Sequence, residues 1–258
     1  MPLGPNPVTG LLEFHHLASA WDGEVDPRQL PIPRHAADGA IAVASATGIV
    51  FALAPGGMAR LGSQADDPSA PFYDPAREPA EALHDVELAP FLLARHELTQ
   101  GQWRRLTAWA PDLRQPATYF RPGSVAGVNI TDTNPVERVS VVQAKLVLQR
   151  AGLQLPTEAQ WEHACRAGST TPWHAPGEEL RHHANFADAA TKTVAPKWTC
   201  LPWNDGHGVH APFGAFRPNA WGFFDMHGNV AELTRDPDGP YGSERPGDGL
   251  CACRSLAP

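Results

Sequence analysis

Lysine is scarce in this chain, with three residues against 17 arginines, and the 28 acidic residues outnumber the 20 basic ones. The net charge of −8 and the lack of a clustered basic stripe exclude nucleic acid as an expected partner. No apolar run approaches the roughly 18 residues that a bilayer-spanning helix needs, so we expect no membrane span. Residues 1–5 carry neither a basic nor an apolar signal region, which predicts a cytoplasmic protein.

Cysteine is also rare, at four in 258 residues, which is too few for a disulfide scaffold. The spacing of Cys165, Cys200, Cys251 and Cys253 matches no zinc ribbon and no C-x-x-C redox pair. Cys251 and Cys253 form a C-x-C pair of a kind that binds soft metals such as Cu(I). Two thiols without a metal are the favoured interpretation, because the pair lies close to a chain terminus.

Proline and glycine, in contrast, are abundant: 27 and 23 residues, together about a fifth of the chain. An average soluble protein has roughly 12% of the two combined, so a helical bundle or a coiled coil is excluded. Disorder is excluded as well, because 42% of the residues are hydrophobic and eight are tryptophan. The composition therefore predicts a compact fold of short elements joined by ordered loops.

The first half of the chain alternates between weak patterns and short apolar runs. Residues 1–45 lack a clear periodicity and are predicted to be an irregular N-terminal arm. Gly48–Ala54 is apolar and partly β-branched, which predicts a strand that ends at the turn Pro55–Gly57. Residues 63–80 are predicted to form an exposed loop, and residues 86–93 another strand.

Three helices are indicated by one local motif, a Ser or Thr followed three residues later by Gln. The hydroxyl of such a residue caps the helix, and the Gln returns a hydrogen bond to the backbone N–H of the capping residue. Leu98 and Trp103 occupy the positions of a hydrophobic staple at the first of these sites. The three capping pairs are Thr99 with Gln102, Ser140 with Gln143, and Thr157 with Gln160, and the second and third helices are expected to end near Gly152 and Gly168.

The third helix carries the one cysteine that we place in a regular element. Trp161, Ala164 and Cys165 are spaced i, i+3 and i+4, so they share one face of the helix. We therefore expect Cys165 to be a small buried hydrophobe rather than a nucleophile.

Oxygen-bearing side chains are concentrated in two loop segments, Asn204–His210 and Asp225–Glu232. His207 and His210, near an aspartate, have ligand types for a transition metal, but two surface histidines are the favoured interpretation. Asp205, Asp225 and Glu232, with amide oxygens from Asn185 and Asn229, would instead suit calcium. An ordinary set of Asp and Gly turns explains the same composition equally well. Glu97 and Glu158 lie at helix starts, where favourable charge near the N-terminus accounts for them.

Six segments of the chain together resemble one family. LPTE-x-x-WE and D-M-H-G-N-V-x-E are the most specific motifs among them. The segments are Pro55–Gly57 with Leu61–Ser63, Glu97–Trp103, Asn134–Ser140, Leu155–Glu162, Ala184–Asn185 and Pro218–Glu232. Over about residues 48–249 this order resembles the formylglycine-generating enzymes, also called sulfatase-modifying factors.

The resemblance implies an α+β fold, a variant of the C-type lectin fold with little regular structure, over residues 46–258. It also implies a protein or peptide substrate and an oxidoreductase-like activity. Members of the family oxidise a cysteine within a C-x-P-x-R peptide to formylglycine, with molecular oxygen and a Cu(I) held by two cysteines.

Two calcium sites are implied by the same resemblance. The first consists of the side chains of Asn185 and Asp205 with the backbone carbonyls of Phe186 and His207. The second consists of the side chains of Asp225 and Glu232 with the carbonyls of Gly228 and Val230. Since the family often has Asn in place of Asp225, this chain is expected to offer the second ion a more negative site.

Two departures from the family separate the possible functions. No R-G-G-S segment and no C-x4-C pair occur here, so Cys251 and Cys253 are not equated with the copper ligands, and the domain is expected to lack the family's C-terminal end. Ala231–Leu233 stands where the family has W-E-W. Three hypotheses follow: an oxygen-dependent oxidase of protein cysteine, a calcium-stabilised binding module without redox chemistry, or a truncated and inactive gene product.

Overall fold

An antiparallel four-stranded sheet runs through the N-terminal half of the molecule, in the order β1-β2-β3-β6. The strands are β1 Pro2–Pro5, β2 Leu12–His15, β3 Val50–Ala54 and β6 Phe91–Ala94. This computed structural model describes residues 1–78, 81–114, 118–125 and 127–236, and the backbone of residues 243–244 and 251–252. The predicted strand at Gly48–Ala54 is confirmed as β3, whose Ala52 and Ala54 are fully buried.

The expectation of an irregular arm over residues 1–45 is corrected for residues 2–15, which form β1 and β2. Glu13 of β2 pairs with Ala52, and His15 pairs with Val50, so this segment continues the central sheet. The sequence pattern concealed the strand because the two side chains that it buries, Glu13 and His15, are polar. Further along, this region contains a short helix, α1 Leu17–Ala20, and a 3₁₀ turn at Pro27–Gln29.

A second sheet joins β4 Gly57–Leu61 to β5 His84–Leu88. Its buried residues pack with Ala159 of a later helix, and they are Ala59, Leu61, Val86 and Leu88. The single strand predicted over residues 86–93 is therefore two strands, β5 and β6, which belong to different sheets. A two-residue pairing joins β7 Ser243–Glu244 to β8 Cys251–Ala252.

The three predicted capping boxes are confirmed, and each one begins a helix. The helices are α2 Gln100–Leu106, α3 Val141–Arg150 and α4 Glu158–Arg166, and both reciprocal hydrogen bonds of the box are present at each start. Gly152 follows α3 with φ +74°, and Ala167 ends α4 in the left-handed region, just before Gly168. Leu98 packs against the cluster that contains Trp103, as the staple predicts.

One face of α4 packs onto the central sheet and onto the segment around residue 225. Ala164 and Cys165 share a buried cluster with Ala52, Phe223 and Met226. Cys165 is therefore buried as predicted, and Phe223 and Met226 fix the backbone on either side of Asp225. Beyond α4 the described chain is mostly loop, with 3₁₀ turns at Leu180–His182 and Thr191–Thr193. Together these elements make an α+β structure.

No helix among the described residues is both long and apolar enough to cross a membrane.

Candidate metal centre

Asp225 is a buried carboxylate with no protein partner. Its side chain is 3% exposed, and neither Oδ1 nor Oδ2 accepts a hydrogen bond. The residue holds a φ of +54°, which aspartate tolerates better than most residues, and the adjoining Phe223 and Met226 lie in the core. Burial, followed by the charge of Glu232, raises the pKa of Asp225 to about 7. An isolated buried carboxylate of this kind is costly unless a cation or a proton neutralises it.

Glu97 and Glu232 complete an acidic cluster with Asp225. Glu97 is 6% exposed, and burial together with the charges of Asp225 and Glu232 raises its pKa well above the usual value. The Asn229 side-chain amide donates to Glu97 at 2.7 Å, and the Val230 N–H donates at 3.4 Å. The Glu232 carboxylate accepts a hydrogen bond from the indole N–H of Trp161. Although the Glu232 residue is largely exposed, loss of hydration at its carboxyl raises the pKa to about 7.

The sequence analysis missed Glu97, which it assigned to the start of a helix. Glu97 lies 132 residues before Asn229 in the chain, and no local pattern links the two. Only the packing of the segment before α2 against the 225–232 loop brings this carboxylate to Asp225.

Residues of the second expected calcium site lie together around this cluster. Asp225 and Glu232 interact through their charges, and the Val230 N–H contacts Glu97. Gly228 forms a β-bridge with Asn185, and the Asn229 N–H donates to the Asn185 carbonyl at 2.9 Å. Asn229, considered above as a source of an amide oxygen, already accepts from Asn185 and from the Ala211 N–H. Asn229 therefore organises the loop and has little capacity left as a metal ligand.

The first expected site is centred on Asp205. One carboxylate oxygen of Asp205 accepts from the His207 N–H at 2.8 Å, whereas the other, Oδ2, is buried without a partner. Burial raises the pKa of Asp205, and the nearby charge of Asp188 adds to the effect, whereas hydrogen bonds from His207 and Phe186 lower it. Asp205, Phe186 and His207 are therefore neighbours, as the resemblance implies.

Asn185 connects the two expected sites. Its side-chain nitrogen donates to the Val209 carbonyl at 2.8 Å and to the Asn229 side chain at 3.0 Å. Its backbone pairs with Gly228 and is followed directly by Phe186. The loops that carry Asp205 and Asp225 therefore form one hydrogen-bonded unit.

Side chains alone do not make a complete metal site in the part of the chain that is described. No three His, Cys, Asp or Glu side chains there are arranged as a metal-binding group. A cation at Asp205 or Asp225 therefore needs backbone or water oxygens as well, which is the coordination that calcium takes. His207 and His210 have separate neighbours: His207 packs on Phe216, and His210 contacts Asn134.

The described cysteine side chains do not fit a copper pair. Cys165 and Cys200 are both free, and burial raises the pKa of the Cys165 thiol to about 12. The Cys165 thiol donates instead to the Met226 carbonyl at 3.4 Å. The C-x-C hypothesis for Cys251 and Cys253 concerns side chains that lie outside the described residues.

A cavity of about 740 Å³ opens beside the acidic cluster. Its walls are mostly apolar and come from the central sheet, α2, α3 and α4, and Glu97 and Glu232 lie in its lining. Ala231 and Leu233, which replace the tryptophans of the family motif, also border it. The volume is within the range of pockets that bind small molecules or side chains.

Comparison with known proteins identifies the family of this chain. Residues 43–254 match the profile of the sulfatase-modifying factor enzyme 1-like domain. The formylglycine-generating enzyme of Thermomonospora curvata is 28% identical over 225 residues, which cover 70% of this chain and 69% of that protein. The Streptomyces coelicolor enzyme of the same name is 33% identical over 54% of this chain and 46% of its own length.

Two solved structures have a fold similar to that of this chain. PvdO from Pseudomonas aeruginosa superposes with a TM-score of 0.57 at 26% identity, covering 81% of this chain and 78% of its own. Treponema denticola variable protein 1, at 20% identity and a TM-score of 0.54, shares the fold alone.

The fold and the buried carboxylates thus define an α+β domain whose long loops are organised around acidic side chains. This chain belongs to the sulfatase-modifying factor family, because the family profile covers most of its length. It spans about two thirds of one relative and less than half of another.

Proposed function

We propose that this chain is a calcium-stabilised binding domain of the sulfatase-modifying factor family, built as a variant of the C-type lectin fold. The observation that carries the proposal is Asp225, whose two carboxylate oxygens are buried without a partner beside Glu97 and Glu232. Three acids in one buried region repel one another, and a divalent cation offsets that repulsion directly.

The residues that would hold the ions are those that the family resemblance implies. Asp225 and Glu232 would supply side-chain oxygens to one ion, with the carbonyls of Gly228 and Val230. Asp205 and Asn185 would supply them to the other, with the carbonyls of Phe186 and His207. Calcium would supply positive charge and fix loops that have few backbone ladders of their own. Glu97 would act through its charge, which adds to the negative potential around Asp225 and Glu232.

Thermal unfolding with and without calcium tests the proposal. The full chain is treated with EDTA, and its Tm is measured as Ca²⁺ is added back. A ligand that binds only the folded state stabilises it by about 2.7 kcal/mol at 100 times its Kd, so the midpoint must rise. Asp66→Asn, in an exposed loop, is the control and must respond as the wild type does. A midpoint that is unchanged by Ca²⁺ contradicts the proposal.

A protein or peptide is the partner that we expect, since the relatives are named for generating formylglycine, a modified amino-acid residue. The cavity beside the acidic cluster would receive it. Binding of a C-x-P-x-R peptide, measured by calorimetry for the wild type and for Leu148→Arg in the cavity wall, tests this part. Equal affinity of the two proteins argues against the cavity. We also expect a cytoplasmic location, which fractionation of the cells that make the protein would test.

Oxidation of a protein cysteine is the second candidate function, and family membership favours it. The described cysteines offer no copper pair, and no two cysteines in the sequence are separated by four residues. We therefore expect no formylglycine when the protein is incubated with Cu(I), oxygen and a C-x-P-x-R peptide. An aldehyde product in the mass spectrum, absent with the S-x-P-x-R peptide, would establish the oxidase instead.

A further inference from the structure

A histidine pair lies outside the acidic sites. The Nε2 atom of His174 is 3.3 Å from the Nδ1 atom of His183, and the ring centroids are 5.1 Å apart at an angle of 76°. Neither ring belongs to the proposed calcium sites. The distance lies at the long end of the range for an N–H hydrogen bond, and either ring could be the donor.

The same distance agrees with two nitrogens on one metal ion. Zinc binds imidazole nitrogen at about 2.0–2.1 Å, and a tetrahedral angle between two such bonds separates the nitrogens by about 3.3–3.4 Å. The rings are inclined steeply to each other, so each nitrogen is able to face a shared point from its own direction.

Both rings are held in place by their surroundings. The backbone N–H of His174 donates to Nε2 of His227 at 3.2 Å, and the two rings stack with centroids 4.7 Å apart. His183 follows the 3₁₀ turn Leu180–His182, and its N–H donates to the Leu180 carbonyl at 2.9 Å. Burial, followed by the charge of His183, lowers the pKa of His174 to about 4, so the ring is neutral near pH 7.

His227 and Cys165 have other roles in this region. The Nε2 atom of His227 accepts from His174, and the Cys165 sulfur lies 3.7 Å and 3.9 Å from the two ring nitrogens of His227. Within the described chain no third His, Cys, Asp or Glu completes a metal-binding group with the pair. The pair therefore offers two protein ligands and leaves the other positions to water.

We propose that His174 and His183 form a two-ligand site for a divalent transition-metal ion, with Zn²⁺ as the probe. Imidazole selects zinc, copper and nickel, whereas the carboxylate and carbonyl oxygens of the proposed calcium sites select hard ions. The two kinds of site are therefore distinguishable by the ion that each one binds.

Zinc titration of the full chain tests this proposal. The protein is first saturated with millimolar Ca²⁺, and binding of Zn²⁺ is then measured by calorimetry at pH 7. We expect one equivalent of Zn²⁺ to bind, with at least tenfold weaker affinity in His183→Ala. The control is His182→Ala, an exposed neighbour of the same type, which must keep the wild-type affinity. Equal affinity in His183→Ala, or loss in both variants, overturns the proposal.

A second measurement uses only the wild-type protein and does not depend on the folding of a variant. Diethyl pyrocarbonate modifies accessible histidines, and mass spectrometry reports each modified position. We expect Zn²⁺ to protect His174 and His183 and to leave His182 reactive. Modification of His174 and His183 at the same rate with and without Zn²⁺ contradicts the site.

Discussion

The carbonyl oxygen of Asn185 lies where a β-carbon on Gly228 would have to go, only 2.1 Å from that position. Gly228 also holds a φ of +71°, which L-residues with side chains rarely adopt. This contact joins the loop of Asn185 to the loop of Asp225, and the Asn185 side chain in turn donates to the Val209 carbonyl in the loop of Asp205. Glycine is therefore required there by both space and backbone conformation.

We predict that Gly228→Ala separates the two loops and destabilises the protein by more than 2 kcal/mol, because the backbone of Asn185 must move. Gly214→Ala is the matched control, since Gly214 has a similar φ of +76° and nothing within 4 Å of its β position. In the control, the unfolding free energy decreases only because alanine must adopt the left-handed conformation, by about 1 kcal/mol. Urea unfolding measures both variants, and equal losses would contradict the close contact.

Because Asp225 has no protein partner, we predict that replacing it by Asn changes the Tm differently with and without calcium. Asp225→Asn keeps the shape of the side chain and tolerates the positive φ, but it removes one of three clustered carboxyl groups. We expect a higher Tm than wild type in EDTA and a smaller rise on adding Ca²⁺. A lower Tm in EDTA would show that the carboxylate is compensated by something other than a cation.

A buried ion pair ties the N-terminal strand to the domain. Glu13 is 1% exposed and accepts from Arg95 at 3.0 Å, and Arg95 also donates to the Gly222 carbonyl. Removing Arg95 leaves the buried Glu13 carboxylate with His35, at 2.9 Å, as its remaining ion-pair partner, so we expect Arg95→Ala to cost at most about 3–5 kcal/mol of unfolding free energy.

The control for this pair is Arg60→Ala, because Arg60 and Asp85 form an ion pair with both side chains about half exposed. Such pairs contribute about 0–1 kcal/mol. Chemical denaturation compares the two variants, and a loss in Arg95→Ala as small as in Arg60→Ala would mean that Glu13 finds another cation.

The exposed capping box of α3 allows the cap to be tested without a packing change. Ser140 Oγ accepts from the Gln143 N–H at 3.2 Å, and Gln143 returns a bond to the Ser140 N–H at 3.0 Å. We predict that Ser140→Ala lowers the unfolding free energy by about 0.5–2 kcal/mol. Ser140→Asp retains a capping oxygen and should stay close to wild type, and the urea midpoints decide between them.

We predict that the buried His15 makes the folded state less stable in acid. Burial, the N-terminal charge and two neighbouring cations lower its pKa to about 4, and Nε2 accepts from the Gly48 N–H. The unfolded chain takes up a proton at pH 6.5, whereas the native state resists it until about pH 4. Stability from this group is therefore complete above pH 6.5 and falls as the pH decreases to 4, by at most about 3 kcal/mol.

His15→Gln keeps an acceptor for Gly48 and should flatten the decline of Tm between pH 6.5 and 4. His182→Gln, at an exposed position, should leave the decline unchanged. A wild-type slope in His15→Gln would assign the acid sensitivity to other groups.

The three helices were predictable because a capping box is a contact between residues three apart. The arm was mispredicted because β2 buries Glu13 and His15, whose partners Arg95 and Gly48 lie far along the chain. Period-two patterns indicate strands only when the buried positions are apolar. Glu97 does precede the cap of α2 as predicted, but its contacts with Asn229 and Val230 were not predictable, since those residues come from the other end of the domain.

The expected calcium residues were identified from the family motif, and the structure places Asp205 with Phe186 and His207, and Asp225 with Glu232. From composition alone, ordinary turns rich in Asp and Gly explained these residues as well as calcium sites did. The buried carboxylate oxygens without partners support the calcium proposal, and burial is not visible in a sequence. Asp188, fully buried beside Asp205, was likewise undetected, because it accepts from the Asp205 N–H, 17 residues further along the chain, as well as from the nearby Ala190 N–H.

Glutamine, rather than glutamate, closes all three capping boxes. The reciprocal bond at each helix start is therefore between neutral groups, and neither acid nor high ionic strength weakens it. With the proposed ions in place, chelation would act first on the loops after α4, while the helices keep their starts. Far-ultraviolet ellipticity should then outlast the tryptophan fluorescence signal of the folded loops.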